Sequence, residues 1–511
     1  MRSLRSRDTF AGALSAGLAL GVSELLAGLI AAVPSLIEGL GNWVIDHVPT
    51  PVKDWAIATL GTADKPMLLV GIVVVTVSIG GIAGMVSRDR LWFATSVFVL
   101  FGILAALAAS QDPVVSLGVA AIPAGAAVLA GLATLQMLYN VGRSGSEGTA
   151  DISKREFLLG AGAVIGVAAL AGTFGRVLIE RAKRAVAGRE EVALPSASER
   201  LPLVAAEADF EIEGLAEILV PNEDFYRIDT ALSIPRVDLR EWTLSVTGMV
   251  QRPYTIDFSD LLEMRMVERD ITLSCVSNRV GGELVGNARW VGVPLTEILD
   301  RAAVQSGAEQ VVGRSVDDFT VGFPVEAAYD GREALLAVGM NGEPLPFEHG
   351  FPARLVVAGL YGYVSATKWL SEIELTTWDG FDAYWVPRGW AKEAPIKTQS
   401  RIDTPSQNAQ IPVGRHIVAG VAWAPTRGIA RVEVQLGEDE PWVEAELSEP
   451  LSENAWIQWR VDWEPSREGR HILSCRATDG TGELQTEAIA PPAPDGATGW
   501  HERFVVVTAQ A

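Results

Sequence analysis

Hydrophobic positions divide this chain of 511 residues into two unlike parts. Up to about residue 180 they form long uncharged runs, at 67–86, 91–110, 114–141 and 157–175, with a fifth at 9–33 that Glu24 interrupts. Each run is long enough to cross the roughly 30 Å hydrocarbon layer of a bilayer as a helix. One signal peptide does not account for five such runs, so the pattern predicts an all-α membrane region over 1–180 with about five transmembrane helices. Residues 181–215 are charged, Ala-rich and broken by Pro195 and Pro202, which predicts a linker. Over 216–397, short β-rich runs such as 242–248 interleave with helical runs such as 294–302, the pattern of an α+β domain. From 398 to 511 the chain turns to alternating strands, at 416–423, 429–436, 456–463 and 469–478. Short strands at that spacing predict an all-β immunoglobulin-like sandwich.

Charge placement adds an orientation. Arg2, Arg5 and Arg7 precede the first run, Arg88 and Arg90 lie between the second and third, and Arg143, Lys154 and Arg155 precede the fifth. By alternation these segments share one side, and the positive-inside rule makes it cytoplasmic. Everything after the fifth run is then expected outside, giving a multi-pass cell-membrane protein with an extracytoplasmic catalytic domain. Arg176, Arg181, Lys183 and Arg184 oppose this assignment, and three segments outweigh one. Ser153-Lys-Arg-Glu-Phe-Leu158 resembles a twin-arginine export signal with Lys for the first Arg, in the same sense. Glu24 is the one ionisable group within a run and by default a functional candidate.

The remaining composition mostly excludes. Lys and Arg number 41 against 63 Asp and Glu, a net charge of −22, which leaves no basic face for nucleic acid. The histidines, His47, His349, His416, His471 and His501, all lie outside the membrane runs, which argues against a haem held there by paired His. Cys275 and Cys475 are the only cysteines, too few for a Cys-rich zinc site, a four-Cys iron–sulfur cluster or a CxxCH haem attachment. A disulfide between them stays open in principle, although they fall in different predicted domains. Cys475 sits inside a predicted strand and reads as a core residue. Cys275, in the apolar run 271–279, reads on its own either as a small buried hydrophobe or as a thiolate metal ligand.

Three blocks resolve that choice by resemblance. Leu273-Ser-Cys-Val-Ser-Asn-Arg279, continued by Gly286-Asn-Ala-Arg-Trp-Val-Gly-Val-Pro-Leu295, resembles the cofactor segment of the sulfite oxidase family of molybdopterin-dependent oxidoreductases. The block from Met340 to Val357, running on to Lys368-Trp-Leu370, is also similar to that family, as is Pro221-Asn-Glu-Asp-Phe-Tyr-Arg-Ile-Asp229. The resemblance implies a molybdenum–molybdopterin cofactor, with Cys275 as the protein's metal ligand. Soft sulfur suits such a metal. It further implies that Tyr226, Arg227, His349, Arg354, Ser365, Thr367 and Lys368 cradle the pterin and its phosphate, with Asp317 facing the ring.

For catalysis it implies Cys275 with Arg227 and Arg279, the arginines orienting an anionic or polar substrate, and Asn278 and Trp290 on the pocket wall. Val280 stands where a second consecutive Arg is often found, which weakens the case for sulfite; a branch of the family that reduces sulfoxides is the alternative. The implied partners are a small-molecule substrate (sulfite or a sulfoxide-type compound), the membrane, a separate electron-transfer partner and a second copy joined through the C-terminal domain. A membrane receptor that keeps the fold without the catalysis is the remaining alternative.

Overall fold

In the computed structural model the described residues are 2–509, except 31–32, 50–51, 53–54, 57–58, 61–62, 88–89, 112–114, 144–149, 187, 233, 236 and 466. Arg88, one of the charges used to orient the chain, therefore lies outside them. The chain forms two compact units, Met1–Ala187 with Ala231–Arg236, and Gly188–Thr230 with Val237–Ala511.

The first unit is helical: α1 (Arg2–Leu29), α2 (Leu36–His47), α3 (Asp64–Val86), α4 (Leu91–Ala109), α5 (Leu117–Arg143) and α6 (Ala150–Val186). All but α2 contain a stretch long and apolar enough to cross a membrane. Outward-facing residues such as Val74, Ile82, Leu100, Leu129 and Leu170 are exposed and apolar, as a surface that meets lipid requires. Inside, α1 packs against α3, α5 and α6. Small residues permit this: a Cβ on Gly12 would fall 2.2 Å from the Gly80 carbonyl oxygen. Close backbone approach of this kind is how helices associate without a hydrophobic drive. Glu24 is enclosed rather than facing lipid. It accepts a 2.7 Å hydrogen bond from Ser35 and pairs with Arg176 at 3.2 Å, and Arg176 also bonds Glu38.

The second unit contains two sheet systems. In the first, β1 (Thr243–Gly248), β2 (Tyr254–Asp257), β3 (Val267–Ser274), β4 (Val285–Pro294), β5 (Gln310–Ser315), β6 (Thr320–Pro324), β7 (Ala334–Met340), β8 (Glu343–Pro344), β9 (Arg354–Val357) and β10 (Leu370–Thr376) make two sheets. Their orders are β2-β1-β10-β5-β6 and β3-β4-β7-β8, with β9 also on β7. The helix Leu295–Ala302 follows β4 directly, and its Leu295, Ile298, Leu299 and Ala302 are fully buried. That i, i+3, i+4, i+7 stripe seals the core shared by Leu244, Val246, Leu336 and Ile373.

In the second system, β11 (Gln399–Thr404), β12 (Ala409–Pro412), β13 (His416–Trp423), β14 (Ile429–Gln435), β15 (Trp442–Glu444), β16 (Glu446–Leu447), β17 (Ile457–Trp463), β18 (Gly469–Asp479) and β19 (His501–Thr508) also form two sheets. The orders are β11-β13-β17-β16 and β12-β19-β18-β14-β15. Both face one apolar cluster that includes Ile402, Val418, Val434, Trp459, Leu473 and Val505. Cys475 belongs to that cluster, and both cysteines are free, so no disulfide joins them. The stretch read as a linker packs along this unit from Gly188 onward: Ser198 N–H bonds the Met266 carbonyl at 2.8 Å, and Arg189 reaches the Leu345 carbonyl at 2.8 Å.

Candidate functional site

Cys275 is the first residue beyond β3. The β3–β4 ladder closes at Ser274 and Val285, and Cys275 N–H extends it by bonding the Leu284 carbonyl at 2.9 Å. Asn278 N–H then bonds the Cys275 carbonyl at 3.0 Å, while Asn278 Oδ1 accepts from Leu284 N–H at 3.0 Å. The thiol is thus presented by a tight turn at the end of a buried strand, a rigid mount for a ligand.

The turn opens into a cleft with about 910 Å3 of empty space, lined by Tyr226, Asp229, Cys275, Asp317, His349, Arg354 and Lys368 together with a wall of aromatic rings. Lys368 Nζ pairs with Asp229 at 3.0 Å and donates to the Glu348 carbonyl at 3.1 Å. Burial nonetheless lowers its pKa to about 8. Arg354 donates to the His349 carbonyl at 3.1 Å, and its guanidinium lies 5.1 Å from the Trp290 ring centroid. Burial brings it down to about 10, and among the described residues it has no carboxylate partner.

His349 Nε2 lies 2.9 Å from the Asn222 carbonyl, so this nitrogen carries the proton and Nδ1 is the acceptor. Burial holds the ring neutral, with its pKa lowered to about 4. Burial also raises the Tyr226 phenol, the Cys275 thiol and the Asp317 carboxyl above their usual ranges, with Ser277 and Lys368 opposing the shift at Cys275. Gly350, at φ +106°, is required beneath Lys368, because a Cβ there would stand 2.9 Å from the lysine's own Cβ.

Six of the residues expected from sequence therefore converge on one cleft: Tyr226, Cys275, Asp317, His349, Arg354 and Lys368. The other four are placed differently. Arg227 pairs with Asp229 at 2.8 Å beside the cleft, and Arg279 is exposed beyond the turn. Ser365 Oγ is fully buried, bonding the Leu360 and Tyr361 carbonyls, and Thr367 Oγ1 faces Gly313 of β5. Neither hydroxyl lines the cleft. Trp290 is a core residue under Arg354, with its indole N–H on the Ile271 carbonyl at 3.0 Å.

Asp229 and the aromatic wall of Phe319, Tyr363, Trp385 and Trp390 were missed in the sequence. Asp229 closes the first motif block and was available there. Trp385 and Trp390 follow the last block, and no spacing marks them.

The cleft suits a molybdenum–pterin group. A buried guanidinium with only carbonyl partners and a buried ammonium shared with one carboxylate leave positive charge for an anion such as the pterin phosphate. A soft thiol faces the same space.

Comparison with known proteins agrees. Residues 231–385 match the family described as oxidoreductase molybdopterin binding domain. The chain is 27% identical to mitochondrial sulfite oxidase of Rattus norvegicus over 53% of its own length and 58% of the relative's. It is 28% identical to sulfite oxidase of Gallus gallus over 58% of its length and 73% of the relative's. Against an NADH nitrate reductase of Brassica napus it is 28% identical over 45% of its length and 32% of the relative's. The chain thus spans little more than half the length of the mammalian enzyme. On the cleft's chemistry, the matched domain and these relatives, residues 231–385 form a molybdopterin-binding oxidoreductase domain similar to that of sulfite oxidases, with molybdenum–molybdopterin as its cofactor.

Proposed function

We propose that this protein is a multi-pass membrane enzyme that transfers an oxygen atom to or from a small substrate, in the manner of sulfite oxidase, with its cofactor domain on the outer face. The observation that carries the reading is the buried Cys275 thiol facing one cleft with Arg354, Lys368 and His349. Bound molybdenum would supply the two-electron, oxygen-transferring chemistry. The chain's own groups hold and orient. Cys275 serves as the metal's thiolate; Lys368 and Arg354 neutralise the pterin phosphate; His349 Nδ1 accepts a hydrogen bond while Asn222 fixes its tautomer.

Tyr226 and Asp317 offer polar groups to the pterin ring, and Ser365, bonded to the Leu360 and Tyr361 carbonyls, braces the turn leading to Lys368. Arg227, paired with Asp229 of the cleft wall, and the exposed Arg279 would orient the substrate by charge-assisted hydrogen bonds. The Arg-rich pocket that a small dianion needs is thin here. Val280 lies against Gly499 of the C-terminal sheets, so position 280 adds no cation.

A sulfoxide-type substrate is the second reading, favoured by the rings of Phe319, Trp385 and Trp390 on the cleft wall. Aromatic faces and edges suit a neutral, polarisable sulfur compound better than a hydrated dianion. Electrons leave or enter through a separate partner. The strand order of the C-terminal sheets supports the immunoglobulin-like assignment, and a homodimer through this domain is part of the same reading.

The test is Cys275→Ser, followed by molybdenum analysis and assays with sulfite and with methionine sulfoxide. Loss of at least a hundredfold in activity in one assay is expected, with the folded chain retained. A serine variant as active as the native protein would sink the assignment.

A further inference from the structure

The helical unit contains a second cavity, with about 860 Å3 of empty space among α1, α2, α3, α4 and α5. Its wall is apolar apart from the hydroxyl-bearing residues Ser23 and Thr76, and it carries the rings of Phe98 and Phe101. The ion cluster of Glu24, Ser35, Glu38 and Arg176 sits against this wall. Ser23, next to Glu24, lines the cavity, and so do Leu36 and Ile37, which lie between Ser35 and Glu38.

We propose that this cavity binds the ring and first tail units of an isoprenoid quinone. Three observations converge on that ligand. A site enclosed by helices whose outer faces meet lipid is reached through the acyl-chain layer, which selects a lipophilic molecule. The Thr76 hydroxyl and the aromatic rings suit a flat head bearing carbonyls, the Ser23 hydroxyl being given to the Leu20 carbonyl at 2.8 Å, whereas a phospholipid headgroup would need far more polar wall. Buried carboxylates beside a membrane cavity are costly to keep and mark proton or ligand pathways, and quinone reduction consumes two protons.

The inference rests on the proposed oxygen-transfer activity. In the oxidising direction substrate, water and quinone give oxygenated substrate and quinol. Water supplies the oxygen atom; the substrate loses two electrons; the quinone gains these two electrons and the two protons released from water.

The test uses the full, molybdenum-loaded chain in phospholipid nanodiscs containing ubiquinone-2. Retained quinone per protein is measured after washing, for the native chain and for Ala105→Phe and Ala127→Phe, which place a ring inside the cavity. Both substitutions are expected to lower retained quinone at least tenfold while molybdenum content and gel-filtration behaviour stay native. Should either variant misfold, Thr76→Val, which removes a hydroxyl and adds no bulk, is expected to weaken binding several-fold. Native-like quinone retention in the filled cavities, or retention of phospholipid alone by the native chain, would overturn the proposal. Turnover of the native enzyme with ferricyanide, a soluble acceptor, reports separately on the oxygen-transfer reading. Activity with ferricyanide but no bound quinone sinks the cavity assignment alone, and bound quinone without turnover sinks the reaction alone.

Discussion

Replacing Gly281 by alanine probes how the C-terminal sheets hold the turn that carries Cys275. Gly281 lies in the β3–β4 connection at φ +73°, and a Cβ there would stand 2.1 Å from His501 Cδ2 and 2.3 Å from Nε2. The left-handed backbone by itself costs an L-residue about 1–2 kcal/mol. The ring is not free to swing aside, since His501 Nδ1 accepts the Ile402 N–H at 2.9 Å. Overlap with a fixed neighbour adds about 1–3 kcal/mol.

Together the substitution is expected to cost about 2–5 kcal/mol, expressed as lower stability or as displacement of residues 275–284 with loss of bound molybdenum. Arg401, whose guanidinium donates to the Gly282 carbonyl at 2.9 Å, holds the next residue of the same connection. Urea unfolding and metal content are measured for Gly281→Ala, His501→Ala and the double variant. Removing the ring abolishes the overlap and leaves the backbone strain, so the double variant should be more stable than additivity predicts by about 1–3 kcal/mol. If Gly281→Ala costs as much without the ring as with it, the sandwich does not position the metal turn through this contact.

Two further outcomes follow from buried groups in the same unit. Burial lowers the His501 pKa to about 3 from 6.5, so between these values the unfolded chain binds a proton that the folded chain does not. Stability should therefore fall as pH drops below about 6.5, by up to about 1.4 kcal/mol per pH unit, and His501→Asn should flatten that part of the urea-midpoint profile. Asp270 accepts two 2.8 Å hydrogen bonds from the Arg289 guanidinium and is almost fully buried. Asp270→Ala strands that charge and is expected to cost about 3–5 kcal/mol in urea unfolding, whereas a loss below 1 kcal/mol would mean that the pair is effectively solvated.

Much of this protein was legible from sequence because the relevant signals are local. Runs of 19 or more mostly apolar residues mark the helices long and apolar enough to cross a membrane, whatever they pack against. Alternation marks the strands from His416 to Asp479, and Leu295–Ala302 shows its buried face in its own spacing. The motif blocks located Cys275, His349, Arg354 and Lys368, since each block is short and carries its chemistry within a few residues.

What tertiary structure alone decided is which of these groups meet. Asp229 and Lys368 stand 139 positions apart, and only the packing of the two sheets brings them to 3.0 Å. Arg227 was drawn to that same carboxylate and Ser365 to the Leu360 and Tyr361 carbonyls, because a buried hydroxyl or charge takes the nearest partner the fold provides, while Thr367 was turned into the interior with no hydrogen-bond partner for its hydroxyl among the described residues. Trp385 and Trp390 became cleft wall through a loop that has no periodicity to read. Likewise, the enclosure of Glu24 by Ser35 and Arg176 depends on how α1, α2 and α6 cross. A periodic pattern states which face of an element avoids water; distances between elements are fixed by close packing of their side chains, which no local pattern contains.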